Sequence, residues 1–203
     1  MKEEKRDSGS PRLLTEQEGM ELLARAKIPV PEHGIASSPD EAGEIAGSIG
    51  FPVVMKVVSP QVVHKSDAGG VVTGIRSVGE AREAFSRISR AVMEKVPGAI
   101  ITGIMVEKEC PPGFEIIVGG KTDPAFGKVI TLGTGGTLVE FLRDVSIRVL
   151  PIDRAGISEM IDETRGSRII QGFRGSPALD KRALVETVLR LAHLFEHNSN
   201  WHE

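Results

Sequence analysis

The sequence has one cysteine, one tryptophan and no tyrosine, and aromatic residues fill only 4% of its 203 positions. A single cysteine forms no internal disulfide, so no covalent framework supports the fold. So few aromatics argue against the stacking platforms that hold single-stranded nucleic acid. The formal charge of −3 comes with no basic block, which argues against a nucleic-acid surface. No long apolar run is present to span a membrane, and the N-terminal MKEEKRDSGSPR lacks the apolar centre of a signal peptide. His33, His193, His197 and His202 show no ligand spacing around His64, and zinc is set aside. What remains is a soluble globular protein expected in the cytosol, with small anionic ligands still open at local positive sites.

What is there divides into two parts. Residues 1–12 are charged and carry Ser-Gly-Ser-Pro, too little apolar surface to offset ordering entropy, and are expected to form a flexible tail. Thr15 with Glu18 is a capping box, followed by Met20, Leu23 and Ala24 at helical spacing up to the Pro29/Pro31 stop. Ser38-Pro39 with Glu41 starts a second helix, buried through Ala42, Ile45, Ala46 and Ile49 and ending at Gly50. Ser77 with Glu80 starts a third, lined by Ala81, Ala84, Phe85, Ile88 and Val92. From Ala99 the pattern changes to short β-rich runs, AIITGIMVEKE, FEIIVGG, KVITLG and SIRVLPI, which read as a second, mainly antiparallel sheet. Asp153 and Asp180 then cap two helices, the last with Leu184, Val188, Leu191 and Leu194 at core spacing. GTGGT at 133–137 reads as a structural turn. The fold class is α+β in two lobes, with a ligand cleft expected between them.

The chemistry concentrates in Val53–Val71, VVMKVVSPQVVHKSDAGGV. Lys56 stands in a β-branched run, sharing a strand face with Val54 and Val58. A buried, unpaired ammonium is too costly to persist. Either that face opens to solvent at a sheet edge or an anion waits there. Ser59-Pro60 ends the strand, and Gly69-Gly70 leads into a second one at Val71, where main-chain N–H groups can approach phosphate oxygens without a Cβ in the way. No GxxxxGK[ST] occurs and no GxGxxG opens a helix, so this is neither a P-loop nor a dinucleotide fold. His64, in the loop with Lys65, Ser66 and Asp67, has three readings: nucleophile toward phosphorus, proton carrier, or hydrated surface group.

Taken together, VVMKVVSPQVVHKSDAGGV, IMVEKECPPGFEIIVGGKTDPAFG, TLGTGGTLVEFLRDVSIRVLPID and GFRGSPALDKRAL resemble the ATP-grasp subunit of NDP-forming acyl-CoA synthetases, most nearly the ADP-forming acetyl-CoA group. The resemblance runs in consistent order from about Leu13 to Leu194. It implies an ATP-grasp fold with a smaller lobe over 13–104, a larger one over 105–203, and ATP or ADP in the cleft. Lys56 matches the phosphate-binding lysine, and Gly69, Gly70 and Val71 the covering glycine loop. Val106 and Glu107 match the hinge, where main-chain groups read adenine and the carboxylate accepts from ribose. Glu115 matches a second carboxylate near the nucleotide, though a strand-end acid facing solvent is the plain alternative for both glutamates. His64 matches the phosphate carrier that swings toward a partner subunit, with Lys65 screening the transferring oxygens and Asp67 orienting the ring. Arg143, Asp144 and Arg148 match a segment near the cleft but also read as a solvated strand face, and Arg174 reads equally as a phosphate contact or a structural ion pair.

The match stops before the family's acidic, apolar, Asp, apolar, Asn-Pro strand: here the chain reads HLFEHNSNWHE. Magnesium is expected from the family, but no metal ligands are assigned in this sequence, since that strand would lie beyond its C-terminus. A separate CoA-binding α subunit is implied, in a heterotetramer. The leading reading is therefore an ADP-forming acetate/acyl-CoA ligase component that moves phosphate through His64. The alternatives are a non-catalytic nucleotide-binding scaffold and an ATP-grasp carboxylate ligase that works through an acyl-phosphate.

Overall fold

A computed structural model describes residues 14–136, 143–198 and 201. The expected tail over 1–12 lies outside the described residues, as does Thr137 of the glycine-rich turn. The chain divides into two compact units, one holding the residues through Leu22 and Pro29–Pro111, the other Leu23–Ile28 and the chain from Pro112. A lobe boundary after Ile104 would cut through a strand, and the division falls instead between Pro111 and Pro112.

In the first unit the caps form as their residue types require. Thr15 donates to Glu18 Oε2 through N (2.8 Å) and Oγ1 (3.1 Å) and receives the Glu18 N–H in return, starting helix α1 at Glu16–Arg25. Strand β1 (His33–Ala36) follows and was not expected, because HGIA is too short to show alternation. Ser38 Oγ accepts from Glu41 N at the start of α2 (Pro39–Ile49), and Ser77 Oγ from Glu80 N at the start of α3 (Val78–Lys95). With β2 (Val53–Val58), β3 (Val71–Ile75) and β4 (Gly103–Lys108), β1 builds a four-stranded sheet of order β1-β4-β2-β3, antiparallel at every pairing.

Strand β4 corrects the sequence expectation that IMVEKE joins the second sheet. It pairs with β2 through Val53↔Lys108 to Val58↔Gly103. Its period-2 pattern specifies a strand but carries no information on which sheet will accept it. Val53, Met55 and Val57, with Ile104 and Val106, pack one face of the sheet against Ala42 and Ala46 of α2 and Ala81, Ala84, Ile88 and Val92 of α3. The alternate residues Val54, Lys56 and Val58 share the opposite face with Met105 and Glu107.

The second unit is a three-stranded antiparallel sheet, β5 (Ile116–Asp123), β6 (Gly127–Thr134) and β7 (Val145–Val149), in that spatial order. Ile130 and Leu132 of the central strand pack on Ile157, Met160 and Ile161 of α4 (Arg154–Glu163), on Ile170 of the short α5 (Ser167–Ile170), and on Val188, Leu189 and Ala192 of α6 (Lys181–His197). Asp153 and Asp180 cap α4 and α6 as expected. The buried stripe of α6 is Val188, Leu189, Ala192 and Phe195, while Leu184, Leu191 and Leu194 are half-buried at its margin. The carbonyls left over at the end of this helix are gathered by Lys128 of β6, whose ammonium donates to Phe195 O (2.5 Å), Glu196 O (3.0 Å) and Asn198 O (2.7 Å). No helix among the described residues is long and apolar enough to cross a membrane.

Replacing Lys128 with Met removes three charge-assisted hydrogen bonds and leaves the α6 carbonyls unmet. We expect a loss of about 2 kcal/mol in urea unfolding, with Lys128→Arg close to wild type. An unchanged urea midpoint for Lys128→Met would show that water replaces the ammonium at no cost.

Candidate nucleotide and phosphate-transfer site

Lys56 lies on a central strand rather than at a sheet edge, and the anions that face it here are the protein's own carboxylates. Its ammonium contacts Glu107 Oε1 at 2.6 Å and Glu16 Oε1 at 2.8 Å. The register explains the first contact: Val54 lies opposite Glu107 and Lys56 opposite Met105, so Lys56 and Glu107 are diagonal neighbours on one face. The second contact comes from α1, whose first turn directs Glu16 toward both Lys56 and Lys65. Glu16 carries no sequence signal beyond an acidic first turn, a routine feature near a helix N-terminus, and was missed for that reason. Only the long-range contact across 40 positions reveals it.

Burial alone would push the Glu16 carboxyl up, but hydrogen bonds from Lys56 and Lys65 outweigh it and hold the group below its ordinary value. Burial would likewise lower the Lys56 ammonium, and its bonds to Glu107 and Glu16 raise it instead. Glu107 is buried within the first sheet, and among the described residues its Oε2 has no hydrogen-bond partner. Val106 lies on the same strand. Strand β4 has a neighbour on each side, β1 through Gly34↔Val106 and β2 through Met55↔Val106, so the sheet takes up the main-chain groups assigned to reading adenine.

The His64 loop is a wound turn. Ala68 N donates to His64 O (3.2 Å), Gly69 N to Ser66 O (3.0 Å) and Gly70 N to Lys65 O (2.7 Å). Val62 and Ala68 anchor it in the core, and Lys95 of α3 donates to Asp67 O at 2.9 Å. His64 is exposed at its tip, and the Asp67 carboxylate makes no hydrogen bond to the ring, so the expected orienting role is not realised. The glycines serve packing, and their N–H groups are already used within the turn instead of standing free for phosphate. Gly69 is left-handed at φ 71°. A methyl group on Gly70 would fall 2.6 Å from Val57 Cγ1, so the bare Cα is what lets the turn close on β2. Val71 follows, opposite Lys56 in the ladder.

The other candidates lie in the second unit. Glu115 is exposed, its carbonyl accepting from Gly135 N at 2.8 Å. Asp144 is committed to structure: it accepts from Thr134 Oγ1 (2.6 Å), Arg165 N (2.8 Å) and Gly166 N (3.1 Å). Burial pushes its carboxyl up, but these donors prevail and hold it below the ordinary range. Arg148 pairs with Glu163 on a partly exposed face. Arg143 and Arg174 are exposed with left-handed backbones, at φ 45° and 50°, and the Arg174 guanidinium lies over the Phe173 ring at 5.2 Å.

The ATP-grasp domain family matches residues 6–202. The chain belongs to the ATP-grasp family. It is 43% identical over 183 residues to the acetate–CoA ligase [ADP-forming] I subunit beta of Pyrococcus furiosus, covering 90% of this chain and 79% of that subunit. Against acetate–CoA ligase [ADP-forming] I of Archaeoglobus fulgidus identity is 45% over 177 residues, 87% of this chain but 26% of that enzyme. Among solved structures, the dinucleotide forming acetyl-coenzyme A synthetase 1 of Ca. Korarchaeum cryptofilum, in complex with coenzyme A and Ca-AMPCP, superposes with a TM-score of 0.88 at 42% identity, covering 91% of this chain and 81% of that one. A second complex of that protein, with coenzyme A and Mg-AMPPCP, is described with its phosphohistidine segment pointing towards the nucleotide binding site (TM-score 0.79, 36% identity, 92% and 80% covered). Its homologues are thus ligases with an ATP-grasp part, and those named subunit beta are part of multi-subunit enzymes.

The carboxylates of the lysine cluster do not fit a magnesium ion, which takes oxygen ligands free of competing cations. Both oxygens of Glu16 and one of Glu107 face ammonium groups. Among the described residues no three of His, Cys, Asp or Glu are close enough together to hold a metal.

Two outcomes follow for this ATP-grasp domain. Lys56→Met leaves Glu107 a buried, unpaired carboxylate and is expected to cost about 3 kcal/mol in urea unfolding. Most of that loss should return in the double variant Lys56→Met/Glu107→Leu, and additive losses would disprove the coupling. The Glu16 carboxyl is depressed in the folded protein, so it contributes stability above the ordinary glutamate value of 4.5 that is lost as pH falls through its folded value. The melting-temperature difference between wild type and Glu16→Gln should be full at neutral pH and shrink as pH drops below that value. A difference independent of pH would contradict the ion pair.

Proposed function

We propose that this chain is the nucleotide-binding, phosphate-transferring component of an ADP-forming acyl-CoA ligase, working with a CoA-binding α subunit. The observation that carries the reading is the exposed His64 at the tip of a hydrogen-bonded turn whose next residue, Lys65, is joined through Glu16 to the central-strand lysine Lys56.

In the direction of ATP formation, a phosphoryl group delivered from the partner is carried on the imidazole, and ADP attacks it. The P–N bond breaks, a P–O bond to the β-phosphate forms, and the ring nitrogen recovers its electron pair. Lys56 binds nucleotide phosphate as a localised charge, and Lys65 offsets the charge on the transferring oxygens. Gly69, Gly70 and Val71 place the turn against β2. Glu107 holds the Lys56 ammonium in position. Magnesium enters with the nucleotide in this reading and is assigned no protein ligand. A cytosolic reaction is the proposal, and a heterotetramer of two such chains with two α subunits is the assembly expected. Acetate is the family's default acyl substrate, and no residue of this chain is assigned to choosing it.

Incubation with γ-labelled ATP and magnesium, with and without a CoA-binding α subunit, tests the reading. Acid-labile, base-stable label should appear on wild type and fall at least about a hundredfold in His64→Ala, the order expected when a nucleophile is removed. Bound ATP with no label, even with the partner, would favour a nucleotide-binding scaffold. Label persisting in His64→Ala would move the carrier elsewhere.

A further inference from the structure

The Glu16 carboxylate bridges two lysines with different tasks. One oxygen meets Lys56, which the proposed function assigns to nucleotide phosphate, and the other meets Lys65, which adjoins the phosphate-carrying histidine. With Glu107 included, the cluster holds two ammonium groups and two carboxylates, a formal sum of zero. A neutral cluster attracts an incoming polyphosphate weakly, and both lysines gain an anion only when one carboxylate gives up its place.

The two carboxylates are not equally able to leave. The Glu107 side chain is 8% exposed and fixed on an interior strand, whereas the Glu16 side chain is 27% exposed on the first turn of α1. Rotated away from the lysines, Glu16 keeps the helix N-terminus and water as partners, so its release leaves no buried charge. Release of Glu107 would leave one. Departure of Glu16 turns the cluster into a site of net charge +1 bounded by Lys56 and Lys65.

Resting on the nucleotide-binding reading above, we propose that Glu16 is a positioning residue for phosphoryl transfer, a built-in stand-in for phosphate. Without nucleotide its carboxylate occupies the ground between Lys56 and Lys65 and docks the His64 turn. An outer phosphate of ADP or ATP displaces it and takes over both lysines, so the turn is held by the substrate instead of by α1. The Gly70 N–Lys65 O and Ala68 N–His64 O hydrogen bonds are the reporters of docking, because both close on residues beside or at His64.

The test compares wild type with Glu16→Gln by calorimetric titration and by amide hydrogen exchange. Losing a competing, partly exposed ion pair should tighten ATP and ADP binding about threefold while leaving AMP, which lacks the outer phosphates, unchanged. The amides of Ala68, Gly69 and Gly70 should exchange faster than in wild type when no nucleotide is bound and match wild type when ATP saturates. Lys65→Gln frees the turn without removing the competing carboxylate from Lys56, so its exchange should quicken with no gain in ATP affinity. An ion pair with only a structural role predicts unchanged or weaker ATP binding and a difference in exchange that persists with ATP, and either result overturns the proposal. Wild type that binds no ATP at all would overturn the nucleotide-binding reading itself, whereas ATP-binding wild type with unaltered affinity in Glu16→Gln defeats this inference alone.

Discussion

An ammonium group on an interior strand sets the terms for the first unit. Lys56 stands on β2 with β3 on one side and β4 on the other, in a run whose other members are all buried. Left alone at that depth the charge could not persist, and each neighbouring element contributes to its solution. β4 supplies Glu107 through a diagonal ladder position, α1 supplies Glu16, and β3 brings Val71 alongside after the His64 turn. The same pairing leaves the cluster formally neutral, so the negative charge that the lysines call for is already supplied within the fold.

The His64 turn shows how packing and chemistry share residues. Its N–H groups are consumed in closing the turn, Val62 and Ala68 hold it to the core, and Gly70 is bare because Val57 lies where a side chain would go. These constraints leave the imidazole exposed on a support that other residues stabilise. Asp144 and Arg148, attractive as ligand contacts in the sequence, spend their hydrogen-bonding capacity on joining β6 and β7 to the turns around α4.

Local chemistry was legible where it is decided locally. The three Ser/Thr boxes, the Asp153 and Asp180 caps, the α3 stripe and the alternation around Lys56 all follow from spacing within one element. Strand β1 was missed because four residues carry no period, and β4 was assigned to the wrong sheet because a strand's pattern is silent about its neighbours. Of the candidate site, Lys56, His64 and Lys65 were readable from their neighbours. Glu16 was not, because an acid on a first helical turn is unremarkable until the fold brings two lysines to it.

By itself the sequence determined the helix starts and the strand faces, because side-chain type and spacing within about ten positions set each of these, and several motifs in consistent order showed the family. Only the tertiary structure decided which strands meet, that the glycines pack and donate within their own turn, and that the anions facing Lys56 are the protein's own Glu16 and Glu107. Those outcomes depend on contacts between residues tens of positions apart. Their energies come from burial and charge pairing across elements, which no local pattern encodes.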